Sequence, residues 1–168
     1  RRLKIENVLS ESRASVLRDA MMTFIVGGSI RRLQSKGPNG RPPKYSFLFH
    51  TEQGRPSHEW QENVATALRD SLVAEAKADT PRFNELFQRA FTDLRRSVQL
   101  EGSPLPPMDE VKHVVATALI QGQLMITKVN SDKEIDELLY THGHLKLRTP
   151  FNMFIGGQIL DRGLTINN

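Results

Sequence analysis

The 168-residue chain contains no cysteine, which excludes disulfides and thiolate metal sites and leaves only histidine or carboxylate to hold a metal. No apolar run approaches the ~20 residues that span a bilayer. The most apolar stretch, Met21 to Gly28, lies inside a helical pattern rather than a signal-peptide frame, so a cytoplasmic protein with no membrane partner is expected. The chain also lacks GxxxxGK(S/T), whose backbone N–H groups and lysine cradle phosphates, and this chain alone is not expected to hydrolyse ATP. There is no GxSxG elbow for acyl transfer, no internal repeat and no low-complexity tract.

What is present suits one soluble unit with a sizeable core, since a quarter of the residues are charged and apolar content is ordinary. The net charge of +4 is modest and carried mostly by arginine, whose planar guanidinium suits phosphate and carboxylate. It fits nucleic-acid binding and a solvated basic surface equally.

Apolar residues at helical spacing predict a helix from Ser12 to Gln34, capped by Ser12 or Ser15 and ending in Arg31-Arg32, where cations complement the dipole. Gly27-Gly28 within it reads as close helix packing. After the Gly- and Pro-rich loop Ser35 to Lys44, the aromatic run Tyr45 to His50 predicts a strand buried on both faces of a parallel sheet. Ser57 is expected to cap a helix through Val73, and Thr80-Pro81 to open another through Leu94. Past the break Gly102 to Pro107 come a helix over Met108 to Ile120, a strand Leu124 to Val129, a short helix Lys133 to Tyr140 capped by Ser131-Asp132, and a strand Phe151 to Ile155. Strands alternating with helices imply an α/β class with a mostly parallel sheet in a single domain over 1–168, the helices of about 57–120 forming an insertion.

Few motifs carry chemistry. Asp109-Glu110 reads as an acidic first helical turn rather than an ATPase metal box, because prolines and not an apolar strand precede it. Glu75-Ala-Lys77 and Glu110-Val-Lys112 fit a nuclease Glu-x-Lys spacing, but about one such match is expected by chance and both fall on helices. His142-Gly-His144 has no third ligand, so no metal site and no catalytic residue are assigned. The remaining candidate is the turn after Phe151 to Ile155. Gly156-Gly157 lets backbone approach another molecule, and Arg162-Gly163 sets a guanidinium beside a position free to take positive φ. Ligands of α/β sheets sit at such strand ends, and a plain glycine-rich exit with a surface arginine is an equal reading.

At these residues the sequence resembles the Z1 domain family, bacterial proteins related to superfamily 2 helicases and often labelled endonucleases. Ile155-Gly-Gly-Gln-Ile-Leu-Asp-Arg-Gly-Leu-Thr165 is similar to that family's form of helicase motif V, with Gln158 in place of the usual Asn and Asp161 in place of the usual Ser. Ser46 to Thr51 resembles the strand of motif IV, ending in a histidine, and Val129-Asn-Ser131 with Leu138-Leu-Tyr140 also matches. The resemblance implies a RecA-like sheet flanked by helices, the second such domain of a two-domain motor. It implies nucleic-acid contacts, with DNA expected, at His50, Thr51, Gly156, Gly157 and Gln158. It implies ATP contacts at Arg162, Gly163 and Thr165, with Mg²⁺ and the nucleotide shared with a first RecA-like domain. The chain is then expected to be a fragment whose partner is the rest of its own protein. Three functions follow in order: a nucleic-acid-dependent ATPase, a metal-dependent endonuclease component, and a non-catalytic scaffold of a DNA defence or repair complex whose helical insertion binds protein partners.

Overall fold

The computed structural model describes residues 14–35, 40–50, 55–129, 136–139 and 146–157. In chain order the elements are α1 (Ser15–Gln34), β1 (Tyr45–His50), α2 (Arg55–Lys77), α3 (Pro81–Leu100), α4 (Met108–Ile120), β2 (Leu124–Val129) and β3 (Phe151–Gly156). They form two compact units. One comprises Arg1–Pro43 and Ala67–Gln123, the other Lys44–Thr66 and Leu124–Asn168, so α2 contributes its second half to the former and its first half to the latter. No described helix is long and apolar enough to cross a membrane.

The helical unit buries one stripe from each helix. α1 supplies Met21, Met22, Ile25, Val26 and Ile30, α3 supplies Phe83, Leu86, Phe87, Ala90 and Phe91, and α4 supplies Val111, Val115, Ala118 and Leu119. These positions recur at the three- and four-residue spacing that keeps side chains on one face. Contacts between α1 and α3 advance together, Asp19 with Arg89, Gly27 with Leu94 and Arg31 with Glu101, so the two helices run parallel. Within the core stripe of α3 the Phe87 and Phe91 rings stack with centroids 5.8 Å apart.

Helix starts separate strong signals from weak ones. Thr80 is the N-cap of α3, its Oγ1 accepting from the Phe83 N–H at 3.2 Å, and Pro81 follows where a missing N–H costs nothing. At the start of α1, Ser15 is the first helical residue and Ala14 ahead of it makes no side-chain capping bond, while Ser12 lies outside the described residues. α2 begins at Arg55, so Ser57 is already inside the helix. Pro56 fits its first turn, which moves the start ahead of the serine.

The sheet unit is built on three parallel strands in the order β1-β3-β2. β3 is central, and all six of its residues are buried. β1 departs from expectation. Among the described residues it lies at the edge of the sheet, and Leu48 and His50, two residues apart and so on one face, are exposed because that face is not covered along the end of the strand. Of the expected short helix, 136–138 is helical and Leu139 is not, while 133–135 and Tyr140 lie outside the described residues.

From β1 the chain steps across β3 to β2 and then steps back to β3. Two crossovers of the same hand in opposite directions must use opposite faces. The side chains agree. Lys128 pairs with Glu62 of α2 at 2.7 Å, while its neighbour Val129 packs with Phe154 and Leu138. Adjacent strand residues point to opposite faces, so the first half of α2 covers one face and the 136–139 segment the other.

Candidate functional site

The three strands end level. His50 and Val129 are both Cα partners of Gly156, so the carboxyl ends of β1, β3 and β2 form one row. In a parallel sheet all strand directions agree, and the side of the sheet where the chain leaves the strands is shared by every connection. Of the expected contacts, His50 and Gly156 are brought together by the ladder and Gly157 follows directly. His50 is exposed, and Gly156 and Gly157 are buried. Solvent at this edge therefore meets the imidazole before the glycine backbone. Thr51, Gln158, Arg162, Gly163 and Thr165 lie outside the described residues, as does His142-Gly-His144.

Sequence reasoning passes over Lys128, one residue before the end of β2. Its ammonium is held by the Glu62 carboxylate, and both side chains are about two-thirds or more covered, at 27% and 33% exposed. The signal for it is a lone charge inside the apolar run Leu124 to Val129. Partial cover lowers the local dielectric, which strengthens such a pair relative to one in open water.

Asn152, at the opposite end of β3, is equally silent in the sequence. Its Nδ2 donates to the Thr149 carbonyl at 2.7 Å and the Tyr45 carbonyl at 3.3 Å, and its Oδ1 accepts from Thr149 Oγ1 at 3.2 Å. Together with the Tyr45 N–H donating to the Pro150 carbonyl at 2.9 Å, this side chain fixes the turn into β3 and the start of the edge strand. Its work is structural.

The Glu-x-Lys pairs sit on helices, and both have partners at the corner between α2 and α3. The Glu75 carboxylate accepts from the Thr80 hydroxyl, and Lys112 donates to Asp79 at 2.8 Å. The Lys112 hydrogen bond, the Asn84 amide and the lysine's charge hold the Asp79 carboxyl below its ordinary value. Among the described residues no group of three or more His, Asp or Glu could hold a metal ion. The residues expected to hold ATP, Arg162, Gly163 and Thr165, lie outside the described residues.

The sequence profile of the Z1 domain aligns with residues 16–168, a span that runs from the first turn of α1 through all three strands. No curated protein and no solved structure matches the chain. With that profile covering nearly the whole sequence, the chain belongs to the Z1 domain family.

Proposed function

We propose that this chain is part of a helicase-like, nucleic-acid-dependent ATPase, that its sheet is of RecA-like type, and that nucleic acid runs along the row of strand ends. The observation that supports this most is the level finish of three parallel strands at His50, Gly156 and Val129, with a glycine pair leaving the central one. In open α/β sheets ligands collect outside the carboxyl ends of strands, where crossovers turn to opposite faces. β3 occupies that position here, because one crossover passes it and the other returns to it.

Phosphate is the group this edge suits. Backbone N–H groups and an imidazole contact phosphate without reading bases, and sequence-independent grip is what a translocating motor requires. His50 is exposed and reaches the ligand first. ATP bound between this sheet and a second RecA-like lobe would supply the free energy, and Arg162, Gly163 and Thr165 are the residues proposed to face it.

The test is ATP hydrolysis by the full-length protein with and without DNA, using release of inorganic phosphate as the readout. The proposal expects a faster rate with DNA, and a rate loss in Arg162→Ala. Equal rates with and without DNA overturn it.

A further inference from the structure

We propose that the helical unit carries a second, separate phosphate site: an arginine-lined cavity between α1 and the first turns of α3. The cavity is an open hollow of about 290 Å³ lined by Arg18, Pro81, Arg82, Glu85, Leu86 and Arg89. It sits at the small end of ligand pockets, which run from about 300 Å³ upward. Its lining combines the apolar Pro81 and Leu86 with three arginines.

Those groups are held rather than loose. Arg82 and Arg89 are seven residues apart on α3, two helical turns, and so share a face. Arg18 reaches in from α1 with only 11% of its side chain exposed, and the Nε of Arg82 is fully buried. Asp19 organises the pair on either side of it, accepting from Arg18 Nε at 3.1 Å and from Arg89 Nη2 through the same Oδ1. That bond occupies one N–H of Arg89, and a guanidinium has five. A ligand can therefore be met by a group whose position is already fixed, which lowers the cost of binding.

The charge balance favours an anion. Within the cavity's own lining three guanidiniums meet one carboxylate, Glu85, while Asp19 and Asp93 line an adjoining hollow that shares Leu86 and Arg89 with it. Arg82, the second residue of α3, also stands at the positive end of that helix's dipole. Fork-shaped donors of this kind fit phosphate oxygens two at a time. The ligand class is a phosphate group, from either a small phosphorylated molecule or a nucleic-acid backbone.

The experiment is calorimetric titration of the chain with inorganic pyrophosphate, repeated on Arg82→Gln, Arg89→Gln and, as a control elsewhere on α3, Arg95→Gln. One saturable site is expected, weakened about tenfold or more by either cavity variant and left near wild type by the control. Absence of saturable binding, or equal affinities in cavity and control variants, overturns the proposal. If Arg82→Gln fails to fold, Arg89→Gln decides the matter by itself, because the half-exposed Arg89 side chain can be replaced without opening the core. A single-stranded oligonucleotide that displaces pyrophosphate assigns the site to backbone phosphate, and one that does not assigns it to a small phosphorylated ligand. This outcome is independent of the strand-end reading, which stands or falls on DNA-stimulated hydrolysis.

Discussion

Single residues in this chain separate positions fixed by their surroundings from positions that are not. Asn152 is fully buried, and each of its amide atoms has a partner. Replacing it with leucine keeps the bulk and strands the Thr149 and Tyr45 carbonyls, so Asn152→Leu should lower stability by about 1–3 kcal/mol in urea denaturation. A loss under about 0.5 kcal/mol would show that those carbonyls find other donors. Gly27 is the opposite case. A Cβ there would lie 3.5 Å from Leu94 Cδ1, an ordinary contact, so the packing does not demand glycine at this position. Gly27→Ala should therefore raise stability by about 0.5–1 kcal/mol through helix propensity alone, read as a higher Tm. A fall in Tm would mean Leu94 cannot accept the methyl group.

Among the elements, the corner joining α2 to α3 is where local chemistry is densest. Asp79 takes a positive φ of 46°, a conformation that Asp and Asn tolerate better than most side chains, and Thr80 then caps α3. Thr80→Ala should cost about 1 kcal/mol, since it frees the Phe83 N–H and removes the bond to Glu75. Asp79 gives the corner a pH dependence. Its carboxyl is held below the ordinary 3.8, so its contribution to stability is complete above that value and fades as pH falls through the lower folded-state value. Asp79→Asn keeps the backbone conformation and loses the Lys112 ion pair. The stability gap between wild type and this variant should be present at neutral pH and shrink in acid, and a gap that widened on acidification would contradict the assignment. This corner was legible in the sequence, because Thr-Pro has one strong structural meaning. The start of α2 was not, since Pro56 serves a loop's end and a helix's first turn equally well. Nor was the edge position of β1. Strand order depends on pairings about a hundred residues apart, and Tyr45 to His50 has a composition that fits either place. The strand-end site was half visible: His50 and Gly156 stand out separately in the sequence and the ladder joins them, whereas the Glu62–Lys128 pair depends on tertiary packing that no local pattern encodes.

Across the whole molecule, 23 basic residues against 19 acidic give +4, and a diffuse field of that size is a rival explanation for any affinity toward nucleic acid. The two accounts differ in which residues matter. If the surface field alone binds, reversing two exposed arginines of α3, Arg95→Glu with Arg96→Glu, takes the net charge to zero and should remove binding, while His50→Ala changes nothing. If the strand ends bind, His50→Ala should weaken affinity about threefold to tenfold, by loss of a contact to a charged phosphate. The charge reversal then acts mainly through the salt dependence. Fluorescence anisotropy with a labelled single-stranded oligonucleotide, titrated at about 50 mM and again at about 200 mM salt, separates them. Affinity should fall with salt in every variant, because counterion release accompanies any phosphate contact. The strand-end account requires the His50→Ala deficit to persist at the higher salt, where long-range attraction is screened within about 8 Å. A deficit confined to low salt, or none at all, would return the binding to surface charge or to the arginine cavity and leave the row of strand ends without a nucleic-acid role.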